Sequence, residues 1–137
     1  MRLSNMADYA VVIMGAAARH CGGARTSATE LSSETGIALP TVQKLVSILG
    51  KAGLLRSARG LGGGIQLARP AAAITLADII EAVEGPIAMT GCINEATCHC
   101  SIEPDCNVKP HWQHVNAAVK GALGQVSLAS LASEARA

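Results

Sequence analysis

The stretch Ser27-Ala-Thr-Glu-Leu-Ser-Ser-Glu-Thr-Gly36-Ile-Ala-Leu-Pro40-Thr-Val-Gln-Lys-Leu-Val-Ser-Ile-Leu-Gly-Lys-Ala-Gly53 decides the fold of this chain. Ser27 and Glu30 have the form of a capping box, Leu31 supplies an apolar anchor, and Gly36 stands where a left-handed cap closes a helix. After Ile37-Ala-Leu39, Pro40 takes the first position of the next helix, where its missing N–H is no loss. Val42, Leu45, Val46 and Leu49 then follow at helical spacing, an inward stripe that leaves Thr41, Gln43, Lys44, Ser47 and Lys51 facing out. Gly53 ends it. Two helices joined by a tight turn, the second presenting short polar and basic side chains, have the form of a helix-turn-helix.

Upstream, Leu3, Met6, Ala10, Ile13, Met14 and Ala17 recur at steps of three and four, which predicts an amphipathic helix to about His20, broken by Gly22-Gly23. Downstream, Leu54–Ala58 and Ile65–Ala68 are strand-like runs around Arg59-Gly-Leu-Gly-Gly-Gly64, a β-hairpin wing with an Arg-bearing tip. These glycines are no nucleotide cradle. Gly60-x-Gly62 would need glycine at position 65, where Ile65 stands, and no Lys-Ser or Lys-Thr follows for a P-loop. Thr75-x-x-Asp78 caps a fourth helix carrying Leu76, Ile79, Ile80 and Val83, and Gly85-Pro86 stops it. From about Pro110, Trp112, Val115, Val119, Ala122 and Val126 form a narrow seam. A helix with that seam finds its partner on the first helix or in a second copy of the chain, and helix-turn-helix proteins commonly bind two half-sites about a two-fold axis. Beyond Ser127 the small, polar-spotted tail is expected to fray.

Half of the 137 residues are hydrophobic, enough for one domain with a true core. Phe is absent, and Tyr9 and Trp112 are the only aromatics, which argues against a base-stacking platform for single strands. Net charge is +1, unevenly placed. Residues 1–70 carry eight Lys or Arg against three acidic residues, a balance of +5; residues 71–137 carry three against seven, a balance of −4. The basic half points to a polyanion. No apolar run reaches the roughly 18 residues of a membrane span, and the first residues lack the pattern of a signal peptide. The expected location is cytoplasmic, with no membrane partner and no small-molecule substrate.

Cys92, Cys98, Cys100 and Cys106 crowd into fifteen residues that are poor in apolar side chains, and the chain has only one other cysteine, Cys21. Converging thiolates suit a soft metal or an iron–sulfur cluster. A reducing compartment and an odd number of cysteines argue against a disulfide framework. Zinc bound by Cys₃ plus His or Cys, and a thiol redox switch, are the competing chemistries. No Cys-x-x-Cys occurs and no Ser/His/Asp or paired-carboxylate spacing is anchored, so no catalysis is expected. Cys21 reads as a small packed residue, and Trp112 as a packing anchor at a helix start.

Three further stretches carry a resemblance. They are Met1-Arg-Leu-Ser-Asn-Met-Ala-Asp-Tyr-Ala10, Lys51-Ala-Gly-Leu-Leu-Arg-Ser-Ala-Arg-Gly-Leu-Gly-Gly-Gly64, and the cysteine segment ahead of a long helix. Together they resemble the Rrf2 family of bacterial winged-helix regulators over nearly the whole chain. Glu84-Gly-Pro-Ile-Ala-Met-Thr-Gly-Cys92 and His111-Trp-Gln-His-Val-Asn116 are most similar to the subgroup that regulates Suf-type iron–sulfur assembly genes. The resemblance implies a mainly α fold with a small β-hairpin wing, a long C-terminal dimerisation helix, a homodimer on double-stranded promoter DNA, and an iron–sulfur cluster of the 2Fe-2S or 4Fe-4S type. It implies Cys92, Cys100 and Cys106 as ligands, with Asp8 of the other protomer or His111 as the fourth; Cys98 departs from the family pattern and could serve as the fourth ligand, as a redox partner or in neither role, and His99 and His114 rank behind. The expected organisation is a winged helix-turn-helix at 1–72, a connecting helix at 73–90, the cysteine segment at 91–109, the dimerisation helix at 110–126 and a tail at 127–137.

On DNA, Thr41, Gln43 and Lys44 are expected to face the major groove, Gln43 being capable of a bidentate contact to adenine. Arg59 at the wing tip suits a narrow minor groove. Lys51, Arg56 and Arg2 are expected on phosphates, where they set orientation rather than sequence.

Overall fold

The computed structural model of the chain describes residues 3–20, 25–58, 64–87 and 109–134. It is mainly helical with one antiparallel hairpin, as the pattern predicts. Helix α1 (Asn5–Ala18) is capped by the Ser4 side chain, which accepts from the Ala7 N–H at 3.1 Å. It is the centre of the core. Ala7, Ala10, Ile13, Met14, Ala16, Ala17 and Ala18 are all buried, more than one face's worth, because its alanines let neighbours approach closely on several sides. Leu3, expected to begin the inward stripe, is instead half exposed.

Helices α2 (Ala28–Thr35) and α3 (Leu39–Lys51) follow with the expected turn. Gly36 takes φ +77° and its N–H donates to the Ser32 carbonyl, a left-handed cap. The turn is pinned by side chains: Ser32 Oγ donates to the Ile37 carbonyl at 2.6 Å, and Thr35 Oγ1 donates to the Leu31 carbonyl and accepts from the Ile37 N–H. The capping box expected at Ser27 is half made. Ser27 Oγ accepts from the Glu30 N–H, but the Glu30 carboxylate turns away to accept from the Thr26 hydroxyl at 2.9 Å. In α3, Val42, Leu45 and Leu49 are buried and Val46 is half-buried.

Strands β1 (Leu55–Ala58) and β2 (Gly64–Leu67) pair with Leu55 opposite Leu67 and Ala58 opposite Gly64. The Ala68 N–H donates to the Leu54 carbonyl, and the Leu54 N–H to that of Leu49, so the hairpin grows directly from the end of α3. Thr26 adds an isolated bridge to β2, exchanging both backbone bonds with Ile65. Gly64 is forced here: its φ is +141°, and a Cβ on it would lie 2.7 Å from the Thr26 carbonyl oxygen.

After a 3-10 turn at Ala71–Ala73, α4 (Leu76–Glu84) starts with the complete Thr75–Asp78 capping box. It packs on α1 and α3. Helix α5 (Lys109–Gly124) packs chiefly on α4. Two expectations for the C-terminus are corrected. Val126 lies beyond the end of α5, half-buried, with its carbonyl accepting from the Leu76 N–H at 2.8 Å, so the helical seam stops at Ala122. The tail also does not fray through 127–134: Ser127 caps α6 (Leu128–Glu134) by accepting from the Ser130 N–H, and Leu128 is fully buried in the core with α1. Small residues flanking Leu128 and Leu131 hid a short amphipathic helix.

Candidate functional site

The outward face of α3 and the first strand of the wing border a groove of about 540 Å³. Gln43, Ser47 and Lys51 line it from the helix, Arg56 and Ser57 from β1, with Val46, Gly50 and Leu55 as its floor. No carboxylate lines it. The apolar stripe of α3 is what aims the polar residues: burying Val42, Leu45 and Leu49 leaves Gln43, Lys44, Ser47 and Lys51 exposed, while Thr41 is half-buried. Arg56 is steadied by its own Nη2, which donates to the Ala68 carbonyl across the hairpin at 3.3 Å. Two cations, two hydroxyls and one carboxamide around one groove can bind a sugar-phosphate backbone and read one base edge. Ser47 was read only as an outward position of α3 and Ser57 was given no role; their places beside Lys51 and Arg56 in the chain were the available signal. Arg2 and Arg59, expected on phosphate and in the minor groove, lie outside the described residues, as does Cys21.

The four clustered cysteines also lie outside the described residues, but the frame around their segment is defined. Ile87, on its near side, accepts at its carbonyl from Asn116 Nδ2 at 2.9 Å, and α5 starts on its far side. Asp8 is exposed in the first turn of α1. One turn before it, the Ser4 N–H donates to Glu84 Oε1 at 3.1 Å, so Asp8 sits at the end of α1 nearest the close of α4. His111 and His114 are exposed at the start of α5. Among the described residues no three Cys, His, Asp or Glu side chains gather as a metal site.

The expected seam of α5 is open in the single chain. Trp112, Val115 and Ala122 are exposed and Val119 is half-buried. The large exposed hydrophobics among the described residues are Leu3, Tyr9, Val12, Trp112 and Val115, all on α1, its lead-in or α5. Asn116, quoted above only within a motif, is the polar residue buried between Trp112 and Val119. A polar residue in phase with an apolar seam was the signal for it.

A helix-turn-helix with a hairpin wing, polar and cationic on the face away from its core, defines a winged-helix DNA-binding protein. The sequence pattern of the Rrf2 family, described as iron-dependent transcriptional regulators, matches residues 3–134. The regulator IscR of Photobacterium profundum is 32% identical over 131 residues, covering 96% of this chain and 75% of its own. Among solved structures, CymR, the global cysteine regulator of B. subtilis, superposes with a TM-score of 0.75 at 30% identity, covering 98% of both chains. IscR of T. potens superposes with a TM-score of 0.74 at 28% identity, covering 98% of this chain and 88% of its own. The chain belongs to the Rrf2 family and is a DNA-binding transcriptional regulator, not an enzyme. No helix among the described residues is long and apolar enough to cross a membrane.

Proposed function

We propose that the chain acts as a homodimer whose affinity for promoter DNA follows the state of an iron–sulfur cluster, and that it controls Suf-type cluster assembly or iron-homeostasis genes. The observation that carries this reading is the crowding of four cysteines into a segment that runs between α4, which packs on the DNA-reading helix α3, and α5, whose apolar seam is open for a second copy. Cys92, Cys100 and Cys106 would hold the cluster, with Asp8 of the second copy, Cys98 or His111 completing the set. Sulfur donors on a short polar stretch fit such a group chemically. When bound, it supplies a thiolate-held centre that is sensitive to iron supply and oxidation.

The chain's own part is linkage. Drawing distant cysteines to one point restricts the ends of their segment, and those ends are Ile87 and the start of α5. If the restricted arrangement seats α4 and α3 differently from the free one, DNA affinity changes by the difference. A coupling of about 1–3 kcal/mol, roughly 5- to 150-fold, suffices to switch a promoter.

A second reading is favoured by the likeness to CymR, the cysteine regulator: the same cysteines would act as a thiol switch without a cluster. Anaerobic purification with iron and sulfide analysis separates the two. A brown protein with both elements, whose visible absorption bleaches on oxidation, is the expected result. A colourless protein holding zinc or no metal contradicts the cluster reading.

A further inference from the structure

Asn116 is the buried member among residues 111–124 of α5, at 8% exposure, and it is polar. A carboxamide taken out of water needs partners. Its Nδ2 donates to the Ile87 carbonyl, 29 residues away in sequence. Because a carbonyl only accepts, the side chain must present its NH₂ group here. Ile87 is the last described residue ahead of the cysteine segment, three residues past the end of α4, and Asn116 stands two turns into α5, so this bond ties the chain leaving α4 to α5 across the segment that holds the four cysteines.

Further contacts set a register. One turn along α5, Lys120 Nζ lies 3.2 Å from Glu81 Oε1 of α4, a Coulombic contact whose angles fall short of a hydrogen bond. Past the end of α5, Val126 accepts from Leu76. Position 87 meets 116, 81 meets 120 and 76 meets 126, so α4 descends as α5 ascends: an antiparallel helical hairpin whose connection is the cysteine segment. Of these three contacts the middle one, the ion pair, is partly exposed and contributes little, and the one at 126 lies at the far end from the cysteines. The bond at the foot of the segment is Asn116 to Ile87.

We propose that Asn116 is the positioning residue that couples the state of the cysteine segment to the DNA-reading helix, by tying α5 to the stretch that leaves α4 just ahead of the segment. This rests on the segment being the cluster-binding sensor. A rearrangement of the segment that displaces α5 is passed to α4, and so to α3 packed on it, through this bond. Without the donor, the two helices respond independently at that point, and the segment can change state while α3 stays as it was.

Asn116→Asp keeps the shape and replaces the donor with an acceptor; Asn116→Ala removes both. Each full-length variant is prepared anaerobically, its iron and sulfide measured, and its affinity for a duplex selected from random sequence by the wild type compared before and after cluster removal. The expected result is a wild-type cluster content and unchanged cluster-free DNA affinity, with the loaded-to-free affinity ratio falling from on the order of 5- to 150-fold toward one. A folded Asn116→Asp variant with the wild-type ratio overturns the proposal, and so does one that loses the cluster itself, since Asn116 would then serve assembly. If neither variant folds, hydrogen exchange on the wild type decides: cluster removal must alter protection at residues 81–87 together with α3, and unchanged protection at 81–87 overturns the coupling. A wild type without iron and sulfide defeats the sensor reading and the coupling with it, whereas a loaded, DNA-responsive wild type beside a fully responsive variant defeats the coupling alone.

Discussion

The helix-turn-helix at 27–53 and the helical hairpin of α4 and α5 are secured in different ways. In the first, Leu31, Val42, Leu45 and Leu49 are buried, and three side-chain bonds lock the turn between α2 and α3. In the second, α4 is well seated but α5 is held more lightly: Val119 and Leu123 are only half-buried, and its described polar ties are the buried Asn116 amide on the Ile87 carbonyl and a partly exposed ion pair with Glu81. Local stability follows buried apolar contact, so the helix-turn-helix is pre-built while α5 separates at lower cost. Under the proposed function this division is useful: the face that would meet DNA keeps its shape, and the helix beside the cysteines is free to respond.

The largest expected effects test the rigid side. Leu45→Ala in α3 should lower unfolding stability by about 2–5 kcal/mol, and Leu128→Ala in α6 by a similar amount, because both side chains are fully buried. Urea melts would measure this. A loss at Leu128 of less than about 0.5 kcal/mol, the scale of a surface change, would return the C-terminal segment to a frayed tail. Gly64→Ala comes next. Its positive φ and the Thr26 carbonyl in its way should cost at least about 1–3 kcal/mol, read in the same melts, and a neutral result would mean that the foot of the wing is looser than described.

Effects on DNA follow in size. Arg59→Ala should weaken binding to a specific site by about 1–3 kcal/mol at moderate salt, the scale of one lost groove contact, and unchanged affinity removes the role of the wing tip. Lys51→Ala should weaken binding to all sequences alike and lower the salt slope by about one. On α5 the expected change in stability is the smallest. Val115→Ala, at an exposed position, should shift unfolding by no more than about 0.5 kcal/mol yet weaken self-association in sedimentation; a large loss of monomer stability would erase the contrast between the two regions.

The helix-turn-helix was legible because its signals are local. Gly36, Pro40 and the four-residue stripe of α3 act within one or two turns of themselves; the structure places Gly36 and the stripe as read, while α3 begins one residue early, at Leu39, so that Pro40 takes its second position rather than its first. Half of the Ser27–Glu30 box failed because Thr26, held beside it by its backbone bonds to distant Ile65, competes for the carboxylate. The C-terminus was harder for the same kind of reason. Val126 and Leu128 show their part only when residues some fifty positions earlier take up their backbone bonds, the Leu76 N–H donating to the Val126 carbonyl and the Ile74 carbonyl accepting from the Leu128 N–H. Asn116 was visible as a polar residue in an apolar seam, but its partner is a carbonyl 29 residues away, which no pattern within the helix reveals. The cysteines suggest a sensor by their chemistry, and they lie outside the described residues.

The most direct measurement is the affinity of the anaerobically purified protein for its selected duplex, before and after removal of iron and sulfide, beside Cys100→Ala. The sensor reading predicts a change on the order of 5- to 150-fold in the wild type and none in the variant, which should hold no normal cluster. Equal affinities of the loaded and stripped wild type would contradict it, and a normal cluster in Cys100→Ala would contradict the ligand set of Cys92, Cys100 and Cys106.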